Sequence, residues 1–212
     1  MRRNLTAFPS LLKGQQQAIS AILLSGILIG IVGSIYMWGI PLIQKNKDIS
    51  LLQSSEQFML ALDNKVKSVT NTGGRDQLRI TVPGLVSTSS TPGGVVVQLD
   101  VDTQGTIYAT GAEIPLKNAT CSAAEGSWGS DESGILCVKS VKLDENKYRT
   151  TYTLRYVPLR TQTIRTYSII LGADEAESAG MDHAIVIENK GTSEADEAGR
   201  IVTKTSVKVD LI

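Results

Sequence analysis

The chain has 212 residues, in which 21 Lys and Arg balance 21 Asp and Glu, with one His and two Cys. A neutral chain without a basic block is not typical of a nucleic-acid-binding protein. Two Cys are too few for a four-thiolate zinc site, and a single His removes most catalytic schemes that need several imidazoles. Because 42% of the residues are hydrophobic, one or two packed domains are expected rather than a disordered chain.

An uncharged apolar segment lies near the N-terminus, from residue 18 to residue 43. As a helix it would reach roughly 39 Å, more than the ~30 Å of a bilayer's hydrocarbon core. Tyr36 and Trp38 lie near its end, where amphipathic rings favour the membrane interface. A cleaved secretory signal has a shorter apolar core and a small-residue cleavage site, which this segment lacks. The sequence therefore predicts a retained transmembrane helix.

A second helical pattern follows at 44–69, as an amphipathic extension of the first. Its apolar side chains recur at helical spacing, with Glu56 in the widest gap. They are Ile49, Leu52, Met59, Leu62, Val66 and Val69. The pair Gly73-Gly74 is a plausible stop signal, so we predict one nearly continuous helix over 15–72.

The composition changes after Gly74, where Thr, Val, Ser and Gly rise and apolar residues begin to alternate with polar ones. The segment 87–94 reads as a loop of turn-forming residues. Strand-like segments are 78–82, 95–101, 106–110, 136–143, 148–157, 163–171, 184–188 and 201–211. Eight or so short strands predict an antiparallel β-sandwich head over 75–212, so the fold class is α+β.

Two features of the head suggest covalent modification. Cys121 and Cys137 enclose a polar loop and are expected to pair outside the cytoplasm; the alternative is two free thiols packed as small apolar groups. Asn118 opens the sequon Asn118-Ala119-Thr120, which is either a glycosylation site or a chance match. Positive charges flank the apolar segment almost equally, so they do not decide its orientation in the membrane. The Cys pair and the sequon favour an orientation with the C-terminal part of the chain outside the cell.

The residues that would suggest catalysis or metal binding are few. Asp174, Glu175, Glu177 and Asp182 form an acidic run without the spacing of a calcium loop, so a solvated loop is the better interpretation. His183 has no second His, serine elbow or phosphate loop to act with. We therefore predict no enzyme activity, no metal and no cofactor.

The junction before the apolar segment is Lys13-Gly14-Gln15, preceded by basic residues without an acid. It resembles the class III signal of archaeal type IV pilins and archaellins. The resemblance implies that a prepilin peptidase cuts between Gly14 and Gln15, removes residues 1–14 as a leader and leaves the apolar helix on the mature chain. Ile19 stands where bacterial pilins carry a Glu. The alternative is an uncleaved signal anchor with a chance Lys-Gly pair.

Small residues are scattered along the membrane segment, and Gly26, Gly30, Gly33 and Ser34 are candidates for helix packing. The spacing of Gly26 and Gly30 permits close approach of two helices, although Gly is also simply common in membrane helices. The resemblance implies that the helix packs with copies of itself or with related pilins. The chain is then expected in the cell membrane, as a single-pass protein, until it enters a surface filament.

The leading hypothesis is therefore a structural subunit of an archaeal type IV pilus-like filament for adhesion or a related surface process. An archaellin-type motility filament is a close variant. The competing hypothesis is a monomeric, membrane-anchored surface domain whose β-sandwich binds a ligand.

Overall fold

The computed structural model describes residues 10–117, 119–174, 176–181 and 183–212. The chain divides into two compact units, Met1–Asn46 and Lys47–Ile212. Helix α1 spans Ser10–Thr72, with Pro41 inside it. Gly73 and Gly74 then adopt positive φ, and the Gly73 N–H donates to the Val69 carbonyl at 3.0 Å. This is the left-handed termination that glycine permits, so the helix stops where the glycine pair begins.

A β-rich domain follows the helix, with twelve strands in the part of the chain that the structure describes. The strands are β1 Arg75–Arg79, β2 Leu85–Thr91, β3 Gly94–Thr103, β4 Glu113–Pro115, β5 Gly126–Ser127, β6 Gly134–Asp144, β7 Lys147–Tyr156, β8 Leu159–Arg160, β9 Arg165–Gly172, β10 Ala176–Ala179, β11 Ala184–Glu197 and β12 Arg200–Leu211. A long apolar N-terminal helix followed by β-sheets confirms the α+β class.

The strands form two six-stranded sheets, in the orders β1-β11-β12-β9-β8-β5 and β10-β2-β3-β7-β6-β4. Every pairing between strands of the second sheet is antiparallel. In the first sheet, β12 pairs with β9 and β5 pairs with β8 in parallel. The prediction of a wholly antiparallel head is therefore wrong for this sheet. After β9 the chain contributes β10 to the other sheet and returns through β11, a crossover long enough for parallel pairing.

Several predicted strands and loops are corrected. The predicted loop at 87–94 forms most of β2 and its turn into β3, because alternate Ser and Thr side chains suit a strand. Thr88 is buried there and donates to the Asp174 carbonyl at 2.8 Å. The predicted strand at 106–110 is irregular, apart from a bridge at Thr110.

Two acidic stretches that read as loops are partly strands. The first is the acidic run at 174–182, which contains β10, and β10 pairs with β2. Glu175 and Asp182 of this run lie outside the described residues. The second is the similar stretch at 193–199, which the sequence also predicts as a loop; here β11 extends beyond the predicted strand at 184–188 and continues to Glu197. Ala198 and Gly199, with φ of 54° and 79°, then turn the chain into β12. Two central residues at positive φ match the tight hairpin turns that follow the twist of a sheet.

The hydrophobic core of the unit Lys47–Ile212 joins the C-terminal part of α1 to both sheets. Of the six apolar side chains in the predicted stripe, all but Ile49 are buried, and Phe58 joins them. They pack with side chains of both sheets, among them Val97, Leu99, Tyr152, Leu154, Ile185 and Val207. Burying a large apolar side chain contributes about 1.5–3 kcal/mol, so this stripe ties the helix firmly to the sheets.

Candidate functional site

The apolar segment of α1 exposes almost every side chain from 18 to 43. Ile29 is 72% exposed and Trp38 is 80% exposed. The helix is long and apolar enough to cross a membrane, and none of its most apolar stretch is buried against the rest of the chain. The helix meets the criteria for a membrane span by its length and composition. Most of the large apolar side chains that are exposed among the described residues lie in this segment, and contiguous apolar surface of this kind marks an interaction site.

Three predicted packing residues, Gly26, Gly30 and Gly33, have open space around them. A Cβ atom built at any of the three meets no heavy atom within 4 Å. Their spacing of four and three residues places them on one face of the helix. Ser25 donates to the Ile22 carbonyl at 2.9 Å and Ser34 donates to the Gly30 carbonyl at 2.8 Å. Both hydroxyls are thus satisfied within the helix, as an apolar environment requires.

The other predicted site residues have different outcomes. Lys13, Gly14 and Gln15 lie in the helical range of α1, but their side chains fall outside the description, so the cleavage junction stays a prediction. Asn118 also lies outside the described residues, and its glycosylation stays a prediction. The predicted disulfide is confirmed, because Cys121 and Cys137 are bonded.

Three acidic side chains on α1 anchor the helix to the β-rich domain. The first is Asp48, which is 6% exposed and accepts the backbone N–H groups of Gln104 and Gly105 at 3.1 and 2.8 Å. These two residues directly follow β3. A charge-assisted bond to backbone N–H is stronger than a neutral one, so Asp48 fixes the start of the head-bound helix to this loop.

The second anchor is Glu56, in the gap of the apolar stripe. The Tyr108 hydroxyl donates to Glu56 Oε2 at 3.2 Å and lies 3.2 Å from the Tyr152 hydroxyl. Tyr152 is fully buried and donates in turn to the Leu52 carbonyl at 2.8 Å. The Tyr152 hydroxyl thus joins β7 to the helix inside the core, and the Tyr108 hydroxyl joins the helix through Glu56.

The third anchor, Asp63, has a side chain with no exposed surface. The Tyr156 hydroxyl donates to its Oδ1 at 2.8 Å, Lys67 Nζ lies 3.0 Å from its Oδ2, and Lys117 also donates to Oδ2. The backbone of Gly134 passes so close that a Cβ there would lie 2.2 Å from Oδ1. Glycine at 134 therefore makes room for the buried carboxylate.

Glu132 completes this ion network at the surface, with Oε2 at 2.5 Å from Lys67 Nζ and 2.6 Å from Lys117 Nζ. Hydrogen bonds from Lys117 and then Lys67 lower the pKa of Glu132 to about 2. Burial alone would lower the pKa of Lys117, but its bonds to Asp63 and Glu132 outweigh burial and raise that pKa. Both shifts favour the charged forms of Glu132 and Lys117 at neutral pH.

We expect Glu132→Gln to flatten the pH dependence of stability. Because the folded pKa of Glu132 is lowered from 4.5 to about 2, its contribution is present above pH 4.5 and is lost as the pH falls towards 2. Its side chain is 59% exposed, so the contribution is less than about 1 kcal/mol. Urea unfolding in detergent should show wild type and variant differing at pH 6 and converging near pH 2. A difference that persists unchanged at pH 2 would contradict this assignment.

The apolar pattern alone did not reveal the acidic anchors. Asp48, Glu56 and Asp63 recur every seven or eight residues, on the same helix face as Leu52 and Met59. An acidic side chain that recurs within an apolar stripe is the signal that was present in the sequence. It indicates polar contacts inside the core rather than a solvated face.

The acidic residues and His183 are the remaining candidates for chemistry in the head. No group of three or more His, Cys, Asp or Glu is placed to hold a metal among the residues that were searched. The His183 side chain is exposed, while its carbonyl accepts the Ile80 N–H at 2.9 Å. Its contact with the sheet is thus made through the backbone.

Comparison with known proteins gives no relative: no protein-family model, no curated protein and no solved structure matches the chain. Function is therefore inferred from the residues and contacts of this chain.

Proposed function

We propose that this chain is a structural subunit of an archaeal type IV pilus-like surface filament, processed by a prepilin peptidase and used for adhesion or a related surface process. The observation that carries the proposal is the uncharged helix surface at 18–43, which is exposed along almost its whole length. Apolar surface of this extent is unfavourable in water. It needs lipid before assembly and other copies of the same helix afterwards.

The glycine face supports packing between copies. Lipid and a helix bundle are both apolar, so hydrophobic burial does not drive the exchange between them; close packing does. Gly26, Gly30 and Gly33 each cost helix stability of about 1 kcal/mol relative to Ala, and no close contact with a described residue explains them. A neighbouring helix that approaches this face closely gives them a role.

The β-rich domain supplies the filament surface in this proposal, as a sandwich-like head outside the cell. The disulfide Cys121–Cys137 supports an oxidising location. The anchors at Asp48, Glu56 and Asp63 hold the residues after 47 to the head, so the head and that part of the helix would enter a filament as one body. The peptidase acts at Gly14 before assembly.

The proposal is tested by shearing filaments from native cells and pelleting them apart from membranes. We expect the chain in the filament pellet, repeating along fibres that an antibody against the head labels. A chain found wholly in the membrane fraction, with no labelled fibres, would favour the monomeric surface domain and refute the filament.

A further inference from the structure

An open groove of about 500 Å³ lies on the β-rich domain, beside the last turns of α1 and the loop between β5 and β6. Strands β9 and β12 form its other side. Small-molecule sites in proteins have volumes of about 300–1,000 Å³, so the size suits a ligand of a few rings. The lining residues used below are Asn71, Trp128, Asp131, Glu132, Tyr167 and Ser168.

An aromatic pair forms one wall of the groove. The rings of Trp128 and Tyr167 have centroids 4.3 Å apart and are tilted by 36°. Trp128 is the only Trp after residue 38, and it is 55% exposed. A large ring left exposed in a concave surface is a candidate contact for a ligand, because it offers much apolar area at little entropic cost.

The backbone holds Trp128 in this exposed position. Its N–H donates to the Arg160 carbonyl at 2.8 Å, next to the parallel pairing of β5 with β8. The preceding N–H, of Ser127, donates to Asp131 Oδ2 at 2.7 Å, and the following residue Gly129 turns the chain with a φ of +91°. The aromatic surface is therefore preorganised, which lowers the entropic cost of binding.

The polar side chains that line the groove present little net charge to a ligand. Glu132 is paired with Lys67 and Lys117, so its charge is already compensated. Within the described part of the chain, the Asn71 amide and the Ser168 hydroxyl form no hydrogen bond, so both are available to a ligand. Among the described residues, Asp131 Oδ2 accepts the Ser127 N–H, while the other carboxylate oxygen accepts no backbone N–H. The groove thus combines a flat apolar wall with neutral donors and acceptors and one carboxylate.

We propose that this groove binds a neutral saccharide. A sugar ring presents a face of C–H groups that packs on aromatic rings, and its hydroxyls exchange hydrogen bonds with amides, hydroxyls and carboxylates. An acidic sugar or a nucleic acid meets the carboxylate of Asp131 and is disfavoured. The inference goes beyond the filament and does not depend on it, since every residue involved belongs to the unit Lys47–Ile212.

The test uses the full-length protein in a polyoxyethylene detergent, because sugar-headed detergents would compete for the groove. In a Trp38→Phe background, Trp128 is the only Trp and its emission reports on the groove. The probes are neutral trisaccharides of hexoses and of N-acetylhexosamines, with uronic-acid trisaccharides as the acidic counterparts. We expect a saturable change in emission with at least one neutral trisaccharide, and at least tenfold weaker binding of its acidic counterpart.

Two variants in that background locate the binding. Tyr167→Ala should weaken it at least tenfold, whereas Tyr148→Ala, which removes a Tyr outside the groove, should leave it unchanged. Asn71→Ala, at an exposed position, provides a second variant if the loss of Tyr167 disturbs folding; it should weaken binding severalfold. The proposal is overturned if no neutral trisaccharide changes the emission, if acidic ones bind as tightly, or if the folded groove variants bind as the Tyr148 variant does.

Discussion

Gly30→Leu should reduce the yield of sheared filaments at least tenfold, while the amount of chain in the membrane stays as in wild type. A Cβ atom at this position has open space around it, so a larger side chain can be accommodated on the exposed helix surface, and Leu raises both the apolarity and the helix propensity of the segment. Insertion and folding are therefore preserved. Close approach of a neighbouring helix along the face of Gly26 and Gly30 is blocked, so the packing that favours the filament over lipid is lost.

The matched control for this prediction is Ala21→Leu, which adds similar bulk on the opposite face of the same helix. Its filament yield should fall much less. Gly30→Ala, with one added methyl group, should give an intermediate yield. Filament yields measured by immunoblotting of sheared pellets give the comparison. Wild-type yield in the Gly30→Leu variant would show that this face does not carry the packing.

Asp63→Ala should destabilise the β-rich domain by about 3 kcal/mol. The change leaves the buried Tyr156 hydroxyl without its acceptor and removes the carboxylate between Lys67 and Lys117. Breaking a buried ion pair typically costs 3–5 kcal/mol; the lower end applies because Glu132 still pairs with both lysines.

The free energy of unfolding is measured by urea titration of the full-length protein in detergent. Asp76→Ala is the control, since it also removes a carboxylate paired with a lysine of α1, but at the surface, with Lys65 and Asp76 33% and 42% exposed. That variant should lose much less stability than Asp63→Ala, because solvent screens an exposed ion pair. Equal losses in the two variants would mean that Asp63 is no structural anchor.

Local sequence patterns predicted the helix and its buried stripe well. The spacing of Leu52, Met59, Leu62 and Val66 is a property of a single helix, so it can be read without knowing the rest of the fold. The disulfide could also be predicted from the sequence, because a chain with two Cys allows only one intramolecular pairing. Glycines at 73 and 74 indicate the helix end through their own backbone freedom.

Features that join distant segments could not be predicted in the same way. The parallel pairing of β9 with β12 depends on the path of the intervening chain, not on the residues of either strand. Strand β2 was missed because Ser and Thr are common in loops, and only burial of Thr88 reveals their role in the sheet. The groove joins Asn71, Trp128 and Tyr167, which are far apart in sequence and form no local motif.

The mass of the native N-terminus tests the central claim most directly. The protein is extracted from the cell surface, and its N-terminal peptide is identified by mass spectrometry without prior tagging. A filament subunit that keeps its apolar helix after processing should begin at Gln15, with residues 1–14 absent and peptides of the 18–43 segment still present. A surface protein that retains Met1 or Arg2, or that has lost the apolar segment, would contradict the account.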